Sequence, residues 1–150
     1  MVIYMENKVG EVMKRFNYLS NEIENAYHEA ALKCGLSDSA MIILYTICNN
    51  GEECLLSDVT QLSGISKQTI NSSIRRLEED DVVYLETLGR RKKKICLTDK
   101  GRVLVNDTVF KIIRIENEIF DSWTTEEQKL YIELTQRYLS DFKERIKHLL

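Results

Sequence analysis

Proline is absent from the 150 residues, and histidine occurs only as His28 and His148. Without proline no helix interior is forced to kink or stop, so long uninterrupted helices are open to this chain. Glycine is scarce, at Gly10, Gly35, Gly51, Gly64, Gly89 and Gly101. Most of these fall where hydrophobic periodicity breaks, and they mark element ends. No apolar run approaches the roughly 18 residues that span a bilayer. The start, Met1-Val2-Ile3-Tyr4-Met5-Glu6, lacks the basic segment, long apolar stretch and small-residue cleavage site of a signal peptide. The expected location is therefore the cytoplasm. Cys34, Cys48, Cys54 and Cys96 form no C-x-x-C pair. Structural zinc needs clustered Cys and His ligands, so no metal and no other cofactor is expected. Scattered thiols of this kind are usually small core residues; redox sensing would need an exposed, electropositive setting. The chain also lacks a nucleophile with a nearby histidine and a phosphate-binding loop, so it is not read as an enzyme.

Charge is informative through its distribution. The net charge is −3, yet residues 66–100 hold nine Lys and Arg against six Asp and Glu. A local basic face, not the total, is what attracts a polyanion. Hydrophobic residues make up 43% of the chain, enough to build a core.

Helical periodicity dominates the rest. Residues 6–33 place Val9, Val12, Met13, Phe16, Leu19, Ile23, Ala26, Tyr27 and Ala30 at three- and four-residue spacing. Ser37 and Asp38 suit the start of a second helix that closes at Gly51. Cys54-Leu55-Leu56 reads as a short strand. Ser57-Asp58 then caps a short helix ending at Gly64, and Ser66 caps a longer one reaching about Asp80. A short capped helix, a tight turn and a longer capped helix have the sequence shape of a helix-turn-helix. Two β-rich runs, Val82–Glu86 and Lys94–Thr98, flank the basic turn Leu88–Lys93 and predict a hairpin, or wing. Thr98-Asp99 caps a fifth helix whose stripe runs Leu104, Thr108, Ile112, Ile115, Ile119. Thr124 and Glu127 make a capping box for the last helix.

The fourth helix has two faces. Ile70, Ile74 and Leu77 project together toward a core, and Gln68, Ser72 and Arg75 lie opposite, flanked by Asn71 and Arg76. Gln and Asn can bond adenine bidentately, Arg can bond guanine, and Ser suits either. Ser66, Lys67 and Thr69 stand at the N-terminus, where free N–H groups favour phosphate. A polar helix face alone is commonplace. A wing carrying Arg90, Arg91, Lys92, Lys93 and Lys94 directly after it is not, because such a wing can reach phosphates and the minor groove. The acidic run Glu78-Glu79-Asp80-Asp81 is expected to point away from the duplex.

On these residues the chain resembles the MarR (multiple antibiotic resistance regulator) family. The likeness is carried by Gly35-Leu36-Ser37, Leu55–Val59, Ser66–Asn71, Leu77-Glu78, the basic wing and Leu97-Thr98-Asp99-Lys100-Gly101. Two positions depart from the family pattern. Gly89 stands where the family usually has an Asp that holds a wing arginine, matched here by Arg91, and Asp81 stands where Gly is usual. Asp tolerates the left-handed conformation better than most residues. The resemblance implies a mainly α fold with a small β-hairpin: a winged helix-turn-helix with long N- and C-terminal dimerisation helices. Residues 1–150 would form one unit, with 36–101 the DNA-binding lobe and 1–35 and 102–150 the helical dimerisation region. It further implies a homodimer on double-stranded DNA, a repressor reading an inverted repeat and released by a small aromatic effector or by thiol oxidation. Phe16, Tyr18, Met41 and Tyr45 are candidates to line an effector cavity, with plain core packing the simpler role. The rival reading is a winged helix used only for protein contacts, which would need neither the basic wing nor the polar face.

Overall fold

Residues 10–150 are described by a computed structural model, and they form seven α-helices and three β-strands. The chain divides into two compact units, Met1–Phe110 and Lys111–Leu150.

The first unit opens with α1 (Glu11–Lys33), so Val9 and the expected first turn from residue 6 lie outside the described residues. Gly35, at φ 70, reverses the chain after α1, and the Leu36 N–H bonds back to the Ala31 carbonyl at 2.9 Å. A side chain with a Cβ would strain that turn. α2 (Asp38–Asn49) begins as expected, with the Ser37 hydroxyl accepting from the Ala40 N–H at 3.2 Å. β1 (Glu53–Leu55) leads into α3 (Leu56–Ser63). Here the expectation of a Ser57 cap fails: Leu55 is the N-cap and makes no side-chain cap bond. β1 runs straight into the helix, which leaves no free turn for a serine cap.

α4 (Lys67–Glu79) is followed by β2 (Val83–Leu88) and β3 (Lys92–Leu97). Both strands are longer than the β-rich runs alone suggested, and the turn shrinks to Gly89, at φ 68, with Arg90 and Arg91. The sheet is antiparallel in the order β1-β3-β2. Ile43, Leu44 and Ile47 of α2, Val59 of α3, Ile70 of α4 and Ile95 of β3 are fully buried. The period-3.6 faces of three helices and the inward face of the sheet thus close one core.

The Leu97–Gly101 segment is the knot of this unit. The Thr98 hydroxyl caps α5 (Asp99–Asp107) by accepting from the Gly101 N–H at 2.9 Å. It also donates to the Asp81 carbonyl at 2.6 Å, while the Thr98 N–H bonds the Val82 carbonyl at 3.0 Å. A Cβ on Gly101 would run into that Val82 carbonyl. Asp81 takes φ 58, the left-handed value its place at the exit of α4 demands. One short motif therefore ties together the end of α4, the root of the wing and α5.

The long fifth helix is not continuous. It breaks at Thr108 (φ −127, ψ −82) into α5 and α6 (Val109–Asp121). The Thr108 hydroxyl bonds back to the Leu104 carbonyl at 2.7 Å, a contact that bends helices, and Asn106-Asp107-Thr108 are poor helix formers.

In the second unit Phe120, Trp123 and Tyr131 cluster, with ring centroids 4.9–5.9 Å apart. α7 (Thr125–Ile146) starts with the expected capping box, Thr124 and Glu127 bonding each other's backbone N–H groups at 3.1 and 3.0 Å. Those bonds hold the Glu127 carboxyl below its ordinary pKa. No residue of α7 is buried. Tyr138 and Phe142 stack at 6.1 Å on a face shared by Leu134, Leu139 and Ile146, all exposed.

Candidate nucleic-acid interface

α4 is held in place from below and from its start. Ile70, Ile74 and Leu77 are buried as the projection requires. A part-buried bond of 2.6 Å between the hydroxyls of Ser73 and Ser39 joins α4 to α2. At the N-terminus Ser66 accepts from the Thr69 N–H at 3.3 Å and donates to the Thr69 hydroxyl at 2.9 Å. That mutual cap leaves Lys67 and the first free N–H groups facing solvent.

The exposed side of α4 carries two polar rows. Gln68, Ser72 and Arg75 form the outer row, with Lys67 and Asn71 at its edge. Lys67, Asn71, Arg75 and Glu78 form the inner row, which looks into an open cleft of ≈ 710 Å³ between α3, α4 and the wing. Arg90, Arg91, Lys92 and Lys93 line the opposite wall. Six cations from two elements thus converge on one concave surface, although they lie far apart in sequence. Arg76 is exposed but lies outside this lining.

The acidic run divides. Glu78 lines the cleft, contrary to the expectation that the whole run turns away, because it continues the row set by Lys67, Asn71 and Arg75 at helical spacing. Glu79, Asp80 and Asp81 are not part of that lining. Lys94 also separates from the other wing cations: it salt-bridges Glu53 at 3.1 Å and Glu86 at 3.4 Å. The hydrogen bond to Glu53 raises its pKa. Sequence reading missed Ser57 and Thr60 of α3 and Thr87 of β2, which also line the cleft. For Thr87 the signal was present, since it follows the inward Leu85 at the two-residue period of a strand.

The effector candidates have mixed surroundings. Phe16 and Tyr18 lie on α1 and are about half exposed, Met41 is buried in α2, and Tyr45 is partly buried there. Two of the four thiols are poorly set up for redox chemistry. Burial, and then Glu52, pushes Cys48 up to about 11; burial, and then Asp58 and Cys96, pushes Cys54 up to about 11. A thiol so raised carries almost no thiolate near neutrality.

With this geometry in place, comparison with known proteins is informative. A model of the MarR family matches residues 35–93, the stretch from the turn after α1 to the wing. The HTH-type transcriptional regulator TcaR of Staphylococcus aureus is 28% identical over 102 residues, which make up 65% of this chain and 65% of TcaR. The chain thus spans about two thirds of the length of that relative. Two solved structures share the fold. BpsR of Bordetella bronchiseptica, whose DNA binding is regulated by 6-hydroxynicotinic acid, has TM-score 0.61 and 21% identity over 84% of this chain and 98% of its own. Sco3205 of Streptomyces coelicolor, a MarR family regulator solved in complex with DNA, has TM-score 0.68 and 15% identity over 89% and 90%.

Proposed function

We propose that the chain is a member of the MarR family and a sequence-specific, DNA-binding transcriptional regulator acting in the cytoplasm. One observation carries the reading: the inner polar row of α4 and four wing cations line a single cleft, and the outer row, Gln68, Ser72 and Arg75, adjoins it on the same helix. Gln68, Ser72 and Arg75 read base edges from the major groove, with Asn71 beside them. Ser66, Lys67 and Thr69 at the helix start hold phosphate, and Arg90, Arg91, Lys92 and Lys93 hold the flanking backbone or minor groove.

The working form is a homodimer. α7 carries an apolar, aromatic face with no residue buried, and α1 exposes Val12, Phe16, Leu19, Ile23 and Tyr27. Exposed apolar area on this scale marks a surface that is covered in the assembled protein. A two-fold dimer presents its reading helices about one helical turn apart, so the operator is an inverted repeat. Release by a small aromatic effector is favoured over release by thiol oxidation, because the raised pKa values of Cys48 and Cys54 disfavour the reactive thiolate.

Selection from a randomised duplex pool tests the reading. The protein should enrich an inverted repeat and shift it at concentrations that leave a scrambled duplex free. A pool that returns no common sequence, with equal shifts on scrambled DNA, removes the proposed readout and leaves the protein-contact role in its place.

A further inference from the structure

The basic run of the wing is five residues long in sequence, Arg90–Lys94, but only its first four members line the cleft. Lys94 is absent from that lining, although it shares its strand face with Lys92. Strand pairing sets Leu85 against Ile95 and Thr87 against Lys93 on the inner face, and Glu86 against Lys94 on the outer one. The Lys94 ammonium lies 3.1 Å from a Glu53 carboxylate oxygen on β1 and 3.4 Å from one of Glu86 on β2. Its side chain is 23% exposed, against 55% for Glu53 and 50% for Glu86.

The register gives this triad a particular place. β1 pairs with β3 only from Glu53 opposite Cys96 to Leu55 opposite Lys94. β2 and β3 continue together from Glu86 opposite Lys94 to Leu88 opposite Lys92. The row of Lys94 is therefore the last with three strands. Beyond it a two-stranded ribbon carries the four cleft cations into solvent. An isolated ribbon of that kind is weakly held and twists readily, so its direction depends on its root.

We propose that Lys94 is a positioning residue: it clamps β1 and β2 to β3 at the root of the wing and so fixes the direction in which Arg90–Lys93 meet DNA. Lys94 does not itself hold phosphate, because it lies off the cleft and its charge is already matched by two carboxylates. The inference rests on the DNA-binding reading above, but its structural half can be tested without DNA.

The discriminating variant is Glu53→Gln with Glu86→Gln. It removes two negative charges and frees Lys94. By charge alone it must tighten binding to any duplex. The clamp requires the opposite sign. Affinity for a duplex selected by the wild-type protein should fall about threefold, the scale of one well-formed surface charge network. Amide hydrogen exchange at Thr87, Leu88 and Lys92 should quicken in the same variant, while exchange in α2 stays unchanged. Tighter binding would show Lys94 to be a masked phosphate ligand and would overturn the clamp, as would wing exchange indistinguishable from wild type. If the wild-type protein selects no duplex at all, the DNA reading fails, and the exchange measurement alone decides the clamp.

Discussion

α2 and α7 are both helices with apolar stripes, and they use those stripes in opposite ways. α2, 12 residues long, buries Ala40, Met41, Ile43, Leu44, Thr46 and Ile47, whereas α7, 22 residues long, buries none. α2 is wrapped by α3, α4 and the sheet, so its apolar face is satisfied inside one copy of the chain. The face of α7, with Leu134, Tyr138, Leu139, Phe142 and Ile146, remains exposed. A helix that presents such a face needs something to cover it. On the proposed homodimer reading the two regions divide the labour: one buries its apolar face within a single copy, and the other buries it against a second copy.

The largest effect that would test this contrast is in the core of the first unit. Leu44→Ala should cost about 2–5 kcal/mol of stability, because the fully buried side chain leaves a cavity that rigid neighbours cannot fill. Chemical denaturation measures it; a loss below about 1 kcal/mol would mean that the core is not packed as described.

Next is the open face of α7. Phe142→Asp should convert a dimer to a monomer in sedimentation at micromolar concentration, with a dimer dissociation constant raised about a hundredfold or more, as for an aromatic anchor at an interface. The circular dichroism of the winged lobe should be unchanged. A variant that still sediments as the wild type would show that this face does not join two copies.

The reading helix and the wing come third. Arg75→Ala should weaken binding to the selected duplex by about 1–3 kcal/mol and relax preference at one base position per half-site. Arg91→Ala should weaken selected and scrambled duplexes alike and flatten the log–log salt slope by roughly one unit. Equal losses on both duplexes for Arg75→Ala would take base reading away from α4.

The smallest effect concerns the thiols. Cys48 and Cys54 titrate at about 11 in the folded chain, against an ordinary value of 9.0. Both are raised, so the unfolded chain loses these protons first as pH rises. Their contribution to stability is complete below pH 9 and is lost as pH climbs toward about 11. Denaturation midpoints against pH should fall across that window, and less steeply in a Cys48→Ala/Cys54→Ala variant. Alkylation of either thiol near neutral pH should be slow, and fast modification would return thiol oxidation to consideration.

Much of the fold was legible because its signals are local. Ser37, Ser66, Thr98 and Thr124 cap their helices as read, since an N-cap bond reaches only two or three residues along the chain. The buried stripe Ile70, Ile74, Leu77 followed from helical period, and two β-rich runs about a basic glycine turn located the wing. The misreadings were contests between local signals and their surroundings. Ser57 lost its cap role because β1 runs directly into α3, and the stripe through Thr108 broke at Asn106-Asp107-Thr108, three poor helix formers in a row. Glu78 was grouped with its acidic neighbours, although helical spacing sets it in line with Lys67, Asn71 and Arg75.

The sequence by itself determined most of the segments that become helix, turn and strand, where α2, α4, α5 and α7 start, and that a basic wing follows a polar-faced helix. Those properties depend on bonds and periodicities a few residues long. Only the tertiary structure decided which cations act together. Lys94 looks like the fifth member of a run, but strand register brings Glu53 and Glu86 to it and their ion pairs hold it out of the cleft lining, while Lys67 and Arg75 join the wing from another element. A strand's side chains alternate between faces, and which carboxylate meets which ammonium across the sheet is fixed by pairing between segments distant in the chain.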